Sequence, residues 1–116
     1  MEKKDILIDY DLEEDILSLF KLGEKSKFSL DIDVPQGNLV VDYGFDGKVV
    51  GLEFFNASAY FPQLGSLDLS NAKAEFRIQY GSNWAMIFYF IYLPGVQLPI
   101  KGFFPAPYNK KMILEV

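Results

Sequence analysis

The chain has 116 residues, half of them hydrophobic and 16% aromatic, with a formal charge of −5 and neither cysteine nor histidine. That length sets a single domain over residues 1–116, and its apolar content offsets the ordering entropy of folding, which excludes a disordered chain. Lacking Cys and His, it has no disulfide, thiolate nucleophile, Cys/His zinc site or Ser-His-Asp machinery, and its acidity disfavours nucleic acid and anionic membranes as partners.

No apolar h-region follows Met1–Asp5, so no secretory signal is read there. Ile6, Ile8 and Tyr10 alternate with Leu7 and Asp9, the period of a strand. Asp11–Glu14 is a polar connection, Ile16–Phe20 a second strand, and Leu22–Lys27 a loop. Phe28, Leu30, Ile32 and Val34 then alternate with Ser29, Asp31 and Asp33, a half-buried strand with an acidic outer face. Pro35–Asn38 is a turn. Leu39–Tyr43 and Lys48–Phe55 flank Asp46-Gly47, a hairpin signal that Gly44-Phe45 lengthens beyond two residues. Asn56 is placed to cap a short helix near Ala57 to Leu64, which Pro62 keeps brief.

The last third returns to period two. Ala72–Tyr80 alternates cleanly, Gly81–Asn83 is a tight turn, and Trp84–Leu93 is apolar on both faces. Those ten residues are half of what a membrane-spanning helix needs, so a cytoplasmic protein is expected. Pro94-Gly95 fits a type II turn. Val96–Phe103 is expected to pair back as an edge strand. Phe104–Asn109, with two prolines, is expected to be a loop, and Lys111–Val116 a terminal strand. The predicted fold class is α+β: antiparallel hairpins and a meander with one short helix near 57–64.

Two segments carry a family resemblance. Tyr10-Asp11-Leu12-Glu13-Glu14-Asp15-Ile16-Leu17 resembles the opening of a small prokaryotic family catalogued as domain of unknown function 2283. Val40-Val41-Asp42-Tyr43, the Asp46-Gly47 turn, Val50-Gly51-Leu52-Glu53 and Asn56-Ala57-Ser58 resemble its second half. The likeness covers roughly residues 5–61. Gly44-Phe45, Pro62 and an aromatic-rich extension over 72–116 depart from the shorter members. The resemblance implies a meander of strands followed by a helix, and no particular activity. For some members, which lie beside toxin-like genes, it implies an antitoxin-like role. Asp42, Asp46, Gly47, Gly51, Asn56, Ala57 and Ser58 are read as fold determinants: turn, bulge or close approach, and cap.

Three clusters invite a chemical reading. Asp9, Asp11, Glu13, Glu14 and Asp15 offer oxygens to a hard cation, but without EF-hand spacing a solvated turn is the simpler reading. Asp31 and Asp33 share a strand face, which alternation places in water. Lys101–Tyr108 bears a superficial likeness to an RNA-binding strand, but two prolines speak against it.

Trp84, Phe88, Phe90 and Tyr92 stand on one strand face, either packed on the helix as core or presented to another chain. No catalytic, cofactor or metal residue is assigned. The expected function is a non-enzymatic protein-interaction module, self-associating as a homodimer, with a further protein partner an option. The alternative is a small-molecule binder or carboxylate-based enzyme with an aromatic-lined pocket.

Overall fold

The computed structural model describes residues 5–35 and 37–108. In chain order the elements are β1 (Ile6–Asp11), β2 (Ile16–Lys21), β3 (Ser26–Val34), β4 (Gly37–Gly44), β5 (Val49–Phe55), α1 (Ala57–Tyr60), a 3-10 turn (Leu64–Ser66), β6 (Lys73–Tyr80), β7 (Trp84–Tyr92) and β8 (Ile100–Pro107). The first five strands form one open sheet in the order β1-β2-β5-β4-β3, and the last three form another in the order β6-β7-β8. Every pairing is antiparallel. The β3-β4-β5 meander therefore leads into α1, while the β1-β2 hairpin adds beside β5.

The sheets meet face to face. Leu17, Leu19, Val41, Leu52 and Phe54 from the first close on Phe76, Ile87, Tyr89, Ile91 and Phe104 from the second. Each such side chain contributes roughly 1.5–3 kcal/mol on burial. Phe54 is the centre of the ring contacts, edge-on to Tyr60 (5.3 Å), Phe61 (5.4 Å) and Tyr89 (5.1 Å). Two hydrogen bonds clamp the layers. Tyr43 Oη donates to the Pro107 carbonyl at 2.5 Å, and the Val49 amide donates to Tyr80 Oη at 2.9 Å.

The local devices follow the residues. The β4–β5 loop is Phe45-Asp46-Gly47-Lys48, with Gly47 at φ 84° and the Asp46 carboxylate accepting from the Lys48 amide. A two-residue turn would need positive φ at both centres, and Asp46 avoids that strain by the longer loop. Opposite Asp42 and Tyr43 the β4–β5 register shifts, leaving Val50 bulged beside Gly51. A Cβ at Gly51 would meet the Phe20 ring at 2.6 Å, so Gly51 serves both the bulge and the close approach. Gly95 takes φ 75° after Pro94, and the Val96 amide reaches the Leu93 carbonyl, as a type II turn requires.

Four expectations need correction. The fold is mostly β rather than α+β, because α1 holds only four residues before Phe61 and Pro62 end it, well short of Leu64. Residues 96–99 lie outside the last strand, which begins at Ile100. Pro105 and Pro107 are inside that strand rather than in a loop. Among the described residues β8 is an edge bonded to β7 alone, so a missing amide on its far side breaks no ladder. Asn56 is a left-handed residue (φ 54°, ψ 47°) whose side chain makes no cap. The expected strand Lys111–Val116 lies outside the described residues.

Candidate functional site: the two outer faces

A face-to-face sandwich leaves each sheet one outer face. On the second sheet the alternation of β7 settles which residues are outside. Ala85, Ile87, Tyr89 and Ile91 are buried, while Trp84, Met86, Phe88, Phe90 and Tyr92 face away. The choice is imposed by the neighbours. Lys73, Glu75, Arg77 and Gln79 of β6 pair with Tyr92, Phe90, Phe88 and Met86, and charged side chains stay in water.

The core reading of Trp84, Phe88, Phe90 and Tyr92 against the helix is thus corrected: these rings cover the outside of the sheet. Trp84 is 44% exposed and Tyr92 40%. Sequence reasoning missed Phe103, which pairs with Phe88 across β7–β8 at 5.9 Å and is 69% exposed. Its signal was the same period-two spacing, from Lys101 through Phe103 to Pro105. Arg77 lies over the Phe90 ring at 5.0 Å, and Glu75 accepts from both Arg77 and Tyr92.

The first sheet's outer face is acidic. Asp9 and Asp11 of β1 and Asp31 and Asp33 of β3 are exposed on it, as alternation predicts for the latter pair. Asp42 lies between them on β4 and is only 3% exposed. The Ser29 hydroxyl donates to one of its oxygens, Oδ1. The other, Oδ2, is buried without a donor. Glu53 is its diagonal neighbour, since Val40 pairs with Glu53 and Asp42 with Gly51.

Burial, then a hydrogen bond to Asp42 and its negative charge, push the Glu53 carboxyl up to about 7. Glu53 protonated supplies the donor that Asp42 Oδ2 lacks; ionised, it leaves that oxygen orphaned. Asp42 was read as a fold determinant, and its link to Glu53 across two strands carried no local signal.

The acidic turn does not gather into a cation site. Asp15, in the left-handed region at φ 56°, turns toward α1. Its carbonyl accepts from the Ala57 amide, and its carboxylate from the Ser58 amide (3.0 Å), the Ser58 hydroxyl (2.6 Å) and Tyr10 Oη (2.7 Å). These bonds, those of Ser58 first, hold Asp15 below the usual carboxylate range. Asp15 therefore does the capping expected of Asn56, and it joins the two resembling segments. Among the described residues no group of three or more carboxylates converges on a metal position.

A cleft of about 550 Å³ opens between the β3–β4 turn and β8, walled by Leu39, Phe54, Tyr60, Tyr89 and Phe104. Tyr60 Oη is buried without a hydrogen-bond partner. Lys101 is the charged residue among the described lining residues, and no carboxylate stands there. The aromatic pocket and the carboxylate pair are separate places. Among the described residues no helix is long and apolar enough to cross a membrane.

Residues 7–58 match a family described as a protein of unknown function (DUF2283), which bears out the resemblance over β1 to the start of α1. An uncharacterized protein of Methanocaldococcus jannaschii is similar to this chain, 45% identical over 56 residues. That match covers 48% of this chain and 45% of the archaeal protein, just under half of each. No solved structure matches. β6, β7 and β8 lie outside the family match.

Proposed function

We propose that this protein is a non-enzymatic interaction module that associates with itself, a dimer being the smallest assembly, through the outer face of the second sheet. The observation that carries the reading is the ring surface of Trp84, Phe88, Phe90, Tyr92 and Phe103, spread over two paired strands and turned away from the core. A contiguous aromatic patch of this kind is costly in water, and large rings bury much area for little side-chain entropy.

The test is solution mass by size exclusion with light scattering across a dilution series, for wild type and Phe103→Asp. The wild type falls from an assembly to a monomer on dilution. The variant stays monomeric with an unchanged melting temperature, because Phe103 packs on nothing in the core. Trp84, the only tryptophan, reports on the same face, its emission shifting to the blue on association. A wild type that is monomeric at every concentration overturns the proposal.

A second reading, a small-molecule binder, draws on the cleft beside Tyr60 and its unpartnered hydroxyl. Saturable binding of a small apolar dye, lost in a Tyr89→Ala variant that still folds, would support it; binding unchanged by that variant would remove it.

A further inference from the structure

The charges on the two outer faces are opposite in sign. Among the described residues the aromatic face carries Lys73, Arg77 and Lys101 against Glu75 alone. The outer face of the first sheet carries Asp9, Asp11, Asp31 and Asp33, with Glu53 and Asp42 between them. At its outward positions β1, β2, β4 and β5 hold no cation: Lys21 of β2 turns the other way, over the Phe76 ring at 5.4 Å. Lys27 stands at the bulge where β3 begins. A chain of net charge −5 thus folds with one broad cationic face and one broad acidic face, on opposite sides of the sandwich.

The acidic face also has an apolar stripe to offer. Leu7 is exposed, and Phe20, Phe55 and Val40 are half-buried along the same side of the sheet. Phe20 lies opposite Leu7 and against Gly51, and Val40 lies opposite Asp31. Rings flanked by cations on one face therefore answer apolar side chains flanked by carboxylates on the other.

Stacking two aromatic faces on each other instead would set Lys73, Arg77 and Lys101 against the same cationic set of the second copy, a like-charge cost.

Resting on the self-association proposed above, we propose that the aromatic face of one copy docks on the acidic outer face of the first sheet of a second copy. The contact is head-to-tail. It does not close on itself in a dimer, and each assembly ends with one unused face of each kind. Because the charges are exposed, screening by salt weakens the contact.

Two variants separate the faces. Phe103→Asp spoils the aromatic face and leaves the acidic one intact. The double variant Asp31→Lys/Asp33→Lys does the reverse, and its positions are exposed side chains whose change spares the core. Light scattering is run on wild type, on each variant and on their equimolar mixture, at low and raised salt, with thermal melts to show that each is folded. If Phe103→Asp does not fold, Lys73→Glu/Lys101→Glu replaces it.

The expected result is a wild-type mass that climbs past two copies with concentration and falls in salt. Each variant alone is monomeric, and the mixture forms a one-to-one dimer, since it combines one intact face of each kind. If the double Asp variant associates as well as wild type, or the mixture stays monomeric, the head-to-tail inference is overturned while self-association stands. A monomeric wild type overturns self-association itself.

Discussion

The two sheets are built by different means. The first is specified by polar devices with particular addresses: Asp15 bonded to Ser58 and Tyr10, Asp46 closing its loop, Ser29 on Asp42, and a glycine where Phe20 crosses the backbone. The second is specified by rings and by the pattern of its neighbours, with its side-chain hydrogen bonds concentrated at Glu75.

The family match runs through the first sheet to the start of α1, yet that sheet's inner face is not self-sufficient. Leu17, Leu19, Val41, Leu52 and Phe54 need a cover, and β6, β7 and β8 supply it here. A matched segment can thus be complete in its polar addresses and incomplete as a folded body.

The dependence of one sheet on the other is broken most severely at Phe54. Phe54→Ala removes the ring that touches Tyr89 across the interface and Phe61 at the end of α1, and leaves a cavity, so a loss of about 3–5 kcal/mol is expected in urea denaturation. Tyr43→Phe keeps the packing on Phe28 but cuts the clamp to Pro107, for an expected loss of about 1 kcal/mol in the same measurement.

The smallest effect sharpens the contrast between the outer faces. Glu53 has its folded pKa raised above the unfolded value of 4.5, to about 7. Its contribution is fully present below the unfolded value and is lost as pH rises through about 7. Melting temperature should therefore decline across that window in wild type, and the decline should flatten in Glu53→Gln. Asp15 acts in the opposite sense: its pKa is lowered, so its contribution is present above the ordinary Asp value and lost as pH falls through the lowered one. Each slope is assigned to the first sheet, and an equal slope surviving Glu53→Gln would contradict the pairing with Asp42.

Much of this was legible in the chain. Alternation located the strands, and Asp46-Gly47, Gly51 and Pro94-Gly95 announced the devices they form. What escaped is non-local. Asp15 and Ser58 are 43 residues apart, and capping from that distance leaves no mark around Asn56. Trp84–Leu93 is apolar on both sides, so its own period could not choose an inner face. Register did, by setting Ile87 between Ile78 and Phe104 and leaving Phe88 between Arg77 and Phe103. The prolines of β8 misled because their rule concerns central strands, and the sheet order that makes β8 an edge is not written in local sequence.

Those prolines have a further consequence. The Pro107 carbonyl points away from β7 to reach Tyr43, so the ring nitrogen of the same residue lies on that side too, and Pro105 stands in the same row. Each is a position where an incoming strand would look for an amide hydrogen and find none. At these two positions the β8 edge thereby offers no donor for continuation by backbone pairing, the usual route by which open sheets add foreign strands. Over this stretch of β8 the flat surfaces, where side chains rather than the main chain choose the neighbour, are the better route for growth of an assembly.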